Sequence, residues 1–170
     1  MRKFGLIFSL VGLAALPVAA LASQPSSTDL KNAAKFCKDA RTRMGLTAFR
    51  LTYGKPPGHK NAFGKCVSGQ ARVEHKNASN AAQECRDLRA SDPAEFTATY
   101  GEKHNAFGKC VSTQAKQASQ DQEDAVVNAA RKCKAERSAD SAKFASDYGT
   151  RRNAFGKCVS HYARATGGNG

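Results

Sequence analysis

Apolar positions in this chain are dense only at its start. Phe4 to Ala19 form an apolar stretch behind the basic Met1-Arg2-Lys3, and Ala20-Leu21-Ala22 gives a small-x-small pattern before Ser23. This succession reads as a secretory signal peptide over residues 1–22, leaving a mature chain from Ser23. Pro17, two glycines and a span barely long enough for a bilayer argue against a permanent anchor. No later segment is apolar enough to cross a membrane, so the expectation is a secreted or extracytoplasmic product with no membrane span after cleavage.

Beyond Ser23 the pattern of apolar and polar positions repeats three times with a period of 48 residues, from Asn32, Asn80 and Asn128. Each copy opens with Asn-Ala-Ala-x-x-Cys, ending at Cys37, Cys85 and Cys133, and closes with Asn-Ala-Phe-Gly-Lys-Cys-Val-Ser, which holds Cys66, Cys110 and Cys158. Between the two blocks lie Phe49 and Tyr53, Phe96 and Tyr100, Phe144 and Tyr148, each pair four residues apart and followed by a glycine. That spacing puts both rings on one face of a short helix with a glycine stop. Asp92-Pro93 supplies an N-cap and first-turn proline, and Asp140 repeats the cap in the third copy. Asn61, Asn105 and Asn153 are expected to cap the helices that carry the second cysteines.

The fold class is therefore all-α: three tandem disulfide-stapled helical units, each of two longer helices and one short one. Units at 23–72, 73–120 (ending in a linker) and 121–170 are expected, with disordered ends at Ser23 to Thr28 and Gly167 to Gly170. The stretch from Lys109 to Tyr148 lacks Pro and Gly. It reads either as one helix running from the second copy into the third or as a kinked polar linker.

Composition makes the cysteines decisive. Leu, Ile, Val and Phe supply 17 of the 148 residues from Ser23 onward, too few for an ordinary core, whereas alanine supplies 25 and favours helix while burying little area. An even cysteine count in an exported, core-poor chain indicates disulfides. The repeat predicts the pairs Cys37–Cys66, Cys85–Cys110 and Cys133–Cys158, separated by 29, 25 and 25 residues. If residues 109–139 form one helix, Cys110 and Cys133 stand about 35 Å apart, beyond disulfide reach. Each closed loop contributes roughly 3.5 kcal/mol in the chain-entropy model. The closing block Asn-Ala-Phe-Gly-Lys-Cys-Val-Ser resembles repeats in uncharacterised secreted bacterial proteins with cysteine-paired helices. The resemblance covers most of the chain after Ser23 and implies no activity.

Charge changes the functional picture. From Ser23 onward 25 basic residues stand against 14 acidic ones, and residues 23–72 alone carry 10 against 2. A skew of that kind fits a docking face for an anionic polymer. Lys31, Lys35 and Lys38 recur at helical spacing on one stripe, with Arg41 and Arg43 beyond. A second cationic cluster recurs in every copy, where a basic doublet precedes the closing block and a lysine lies in its first turn. Lys60 and Lys65, Lys109 behind Lys103-His104, and Arg151, Arg152 and Lys157 belong to it. The competing interpretation is a solvated surface, with Gly64, Gly108 and Gly156 there only to let helices approach. Arg41, Arg89 and Arg137 either join the anion cluster or pack their stems and bond helix-end carbonyls.

Other chemistry fits less well. Gly-Lys is followed by Cys rather than Ser or Thr, which excludes a phosphate-binding loop of the Walker type. No close Cys-x-x-Cys spacing occurs, and His59, His75, His104 and His161 do not follow the repeat, so neither a metal site nor a cysteine nucleophile is expected. Phe63, Phe107 and Phe155 are expected in the core. Asn77-Ala78-Ser79 matches a glycosylation acceptor pattern. The first expectation is a non-enzymatic exported module without cofactor that binds an anionic polymer, a cell-surface glycan or extracellular nucleic acid, by charge neutralisation without sequence readout. The second is a structural or protein-interaction repeat whose charge serves solubility, its protein partner unspecified.

Overall fold

A computed structural model describes residues 24–167; the expected signal peptide at 1–22 and residues 168–170 lie outside that range. Seven helices and no strand occur among the described residues: α1 (Ser27–Met44), α2 (Leu46–Tyr53), α3 (Ala62–Ser91), α4 (Pro93–Tyr100), α5 (Ala106–Ala139), α6 (Ser141–Tyr148) and α7 (Ala154–Gly167). The boundaries 72/73 and 120/121 fall inside the continuous helices α3 and α5. These two run for about 45 and 51 Å at 1.5 Å per residue.

The ends follow local chemistry. Asp92 Oδ1 accepts the Glu95 N–H at 2.8 Å, and Asp140 Oδ1 accepts the Lys143 N–H at 2.8 Å, capping α4 and α6 as expected. Asn61 and Asn105 occupy N-cap positions, but neither side chain bonds a helix N–H. The chain is ordered earlier than expected: Ser26 and Asp29 form a reciprocal capping box, with Ser26 N–H donating to Asp29 Oδ2 at 2.7 Å. At the other end, α7 extends to Gly167.

The disulfides are Cys37–Cys66, Cys85–Cys110 and Cys133–Cys158, all within copies, with Cα–Cα distances of 5.9, 6.0 and 6.0 Å. Three disulfides are characteristic of an oxidising environment. Each sits beside a Phe/Tyr pair from the intervening short helix, with ring centroids 4.9, 5.3 and 4.9 Å apart.

The long helices do not form a row of separate beads. α1 and α2 fold back onto α5, and α2 also packs on α7. Val127 of α5, fully buried, enters the core of the first copy beside Phe36, Phe49 and the Cys37–Cys66 bridge. Ala48 of α2 joins Phe144, Phe155 and Cys158 in the third copy's core. Arg43 donates to Glu123 Oε1 at 2.7 Å and Asp124 Oδ1 at 2.6 Å, tying α1 to α5. By contrast, among the described residues α4 touches only α3 and α5, and the second copy's cluster of Cys85, Phe96, Ala106 and Cys110 draws on that copy alone.

Between these two bodies the α3/α5 pair is polar. Buried Glu74 accepts from Gln70 Nε2 at 2.9 Å and Ser119 Oγ at 2.7 Å, and Gln70 also donates to Gln122 at 3.2 Å. Nearby, His75 Nδ1 lies 3.3 Å from Asp29 Oδ2, joining the start of α1 to α3. In the third copy Glu136 accepts the Tyr148 hydroxyl at 3.2 Å and that of Tyr162, linking α5, α6 and α7. Its bond raises the Tyr162 phenol above the ordinary tyrosine range.

Candidate cationic cleft

Three extra residues between Tyr53 and Asn61 of the first copy shape the site. Lys55 and Lys60 face each other across an antiparallel bridge, with Lys55 N–H donating to Lys60 O at 3.2 Å, and the loop includes a cis Pro56–Pro57 bond. His59 and Asn61 adopt left-handed backbone at φ +50° and +55°. A Cβ at Gly54 would run into the His59 and Arg50 carbonyls, so this close approach requires glycine.

Closed in this way, the loop walls a cleft of about 550 Å³ against α1, α2 and the start of α3. Arg41 from α1, Arg50 from α2 and Lys60 from the loop line it, with Leu46 and Phe63 as its most exposed apolar side chains. All three cations are exposed, and none has an acidic partner within ion-pair distance among the described residues. The Arg41 guanidinium lies over the Phe63 ring, 5.7 Å from its centroid. Exposed stacking of this kind contributes about 0.5–1 kcal/mol and leaves the N–H fork free for an anion. His59 borders the cleft, and its Nδ1 is buried without a hydrogen-bond partner among the described residues.

Of the cations singled out from sequence, Arg41 and Lys60 thus meet in one site. Lys31, Lys35 and Lys38 are exposed along α1 outside it, and Lys65 is exposed one turn into α3. Lys109 starts α5, and Arg151, Arg152 and Lys157 surround the start of α7; all four are exposed and belong to other copies. Arg43, placed on the same stripe as Arg41, is instead occupied by Glu123 and Asp124. Arg50 is the residue that sequence reasoning missed. Its signal was a charge confined to the first copy, because Thr97 and Ala145 hold the equivalent positions.

The repeated arginines do not act alike: Arg41 lies with Lys60 in the cationic cleft. Arg89 repeats the stacking of Arg41, lying 5.7 Å from the Phe107 centroid. Arg137 instead borders a cleft of about 340 Å³ between α2 and the third copy, together with Lys134, Leu51 and Phe155. The three closing-block phenylalanines also differ. Phe155 is buried at 4% exposure, Phe107 is half-buried and Phe63 is 39% exposed, which corrects the expectation that all three are core.

The closing glycines differ as well. A Cβ at Gly156 would stand 3.3 Å from the Thr52 carbonyl, so α7 and α2 approach closely there, whereas Gly108 has nothing within 4 Å of that position. Asn77 lies inside α3 with its amide nitrogen buried, which is incompatible with a glycan on the folded chain. All six cysteines are in disulfides, and no cluster of three or more His, Cys, Asp or Glu that could hold a metal occurs among the described residues. No protein-family model, curated protein or solved structure matches the chain.

Proposed function

We propose that the protein is an exported, non-enzymatic binder of an anionic polymer, engaging it through the first copy. The observation that carries this reading is the convergence on one cleft, in the most basic part of the chain, of Arg41, Arg50 and Lys60, exposed and without acidic partners among the described residues. Lys31, Lys35 and Lys38 extend the positive surface along α1. Cations already free of internal partners release bound counterions when a polyanion replaces those ions, and that release drives association. The chain makes no demand for base-specific contacts, so a cell-surface glycan and extracellular nucleic acid are alternative sources of the same charge pattern.

The test is binding of the oxidised protein to dextran sulfate across a salt series. Log affinity is expected to fall linearly with log salt, and the triple variant R41Q/R50Q/K60Q to reduce the slope by about two to three. Absence of binding at low salt would overturn the reading and leave a scaffold whose charge serves solubility.

A further inference from the structure

The large apolar side chains left open to solvent among the described residues are Leu30, Leu46 and Phe63, at 47, 52 and 39% exposure. All three belong to the first copy, and two of them, Leu46 and Phe63, line the cleft that Arg41, Arg50 and Lys60 surround. A polymer bearing only phosphate or sulfate groups would neutralise the cations and leave both apolar side chains wet. In the third copy the counterpart of Phe63 is covered: Phe155 is buried in the core that Ala48 of α2 joins. The cleft's volume, about 550 Å³, suits a small molecule, and its lining combines apolar side chains with a few polar groups.

We infer that this cleft takes an anionic amphiphile as a single molecule. Its phosphate, sulfate or carboxylate head is held by Arg41, Arg50 and Lys60, and its acyl chain or ring lies on Leu46 and Phe63. The inference rests on the cationic-face reading above, because the same three cations hold the head group. It adds a demand that charge neutralisation lacks, namely that affinity depends on the apolar part of the ligand. The guanidinium of Arg41, stacked on Phe63, marks the junction between the two chemistries.

Calorimetric titrations of the oxidised protein at low salt test this with three probes: inorganic phosphate, dodecyl phosphate below its micelle-forming concentration, and dextran sulfate. Monomeric dodecyl phosphate is expected to bind one per chain, at least about tenfold more tightly than inorganic phosphate. F63S should erase that preference with only a small fall in melting temperature from the lost Arg41 stacking, while dextran sulfate still binds with the salt slope that the three retained cations set. R50Q should weaken both phosphates. A dodecyl phosphate affinity no better than that of phosphate, a preference that survives F63S, or binding only to micelles would each overturn the inference. Dextran sulfate separates the two levels: if it still binds, only the amphiphile assignment falls, and if it does not, the polyanion reading falls too.

Discussion

The first and third copies exchange residues between their adjoining cores, whereas the second copy stands alone at the far ends of α3 and α5. Both arrangements use the same ingredients: a disulfide, a Phe/Tyr pair and a short helix of eight residues. The difference lies in a few departures from the repeat. α2 carries Leu46, Ala48 and Leu51 where α4 has Pro93, Glu95 and Ala98 and α6 has Ser141, Lys143 and Ser146. That second apolar face lets α2 serve two cores, its own through Phe49 and the third copy's through Ala48 and Leu51. Val127 completes the exchange in the opposite direction; its counterparts, Lys31 and Ser79, are exposed. A repeated unit thus acquires tertiary closure through a handful of side chains while its local structure stays constant.

The largest expected effect separates the two regions by crosslink. Replacing Cys85 and Cys110 by alanine removes about 3.5 kcal/mol from a segment with few contacts beyond its own. Amide exchange should then accelerate in α4 and the adjoining turns of α3 and α5, leaving the first and third copies protected. Loss of Cys133–Cys158, of equal loop length, should instead lower the stability of the whole joint core. Uniform loss of protection in the first variant would show that the second copy is not independent.

Val127→Ala should destabilise by about 2 kcal/mol, measured by denaturant melts, because the cavity opens in a core made by two copies. Its effect should appear in amides of α1 and α2, far from residue 127 in sequence. Gly156→Val should cost about 1–3 kcal/mol by pushing α7 from the α2 carbonyls, whereas Gly108→Ala, with open space around it, should stabilise by about 0.5–1 kcal/mol. Equal effects at the two glycines would remove the distinction between the copies.

The smallest effect is pH-dependent and lies at the α1 end of the joint body. Burial raises the Asp29 pKa, but hydrogen bonds from Ser26 N–H and Oγ and the nearby His75 outweigh it and hold the carboxyl below its ordinary value. A depressed carboxylate contributes stability above its unfolded value near 3.8, and that contribution disappears as pH falls through the lower folded value. D29N should cost about 1 kcal/mol at neutral pH and flatten the acid limb of the stability curve. An unchanged acid limb would exclude Asp29 as the group responsible.

Much of this structure was legible in sequence, and the exceptions are informative. Disulfide pairing followed from the period and from the reach of a helix, and Asp92, Asp140 and the Phe/Tyr pairs located the short helices. Asn61 and Asn105 occupied the expected cap positions without making the expected bonds, and at Asn61 the chain enters α3 through left-handed backbone. Continuity of α3 through Gly69 was hidden because glycine weakens a helix by about 1 kcal/mol, and burial of Gln70, Ala71 and Glu74 just beyond it overrides that preference. The cleft was half legible: Arg41 and Lys60 were visible as repeated cations, but Arg50, Leu46 and Phe63 join them only through the geometry of the inserted loop.

By itself, then, the sequence determined the helices, their stops, the crosslinks and the concentration of charge in the first copy. These depend on capping, propensity and loop closure, which act over a few residues or along a fixed period. Tertiary structure alone decided that α2 packs on α7, that Val127 enters the first copy's core and that one phenylalanine is buried while its counterpart faces solvent. Those outcomes come from contacts between segments some hundred residues apart, where a few substitutions against the repeat choose which otherwise equivalent surfaces meet.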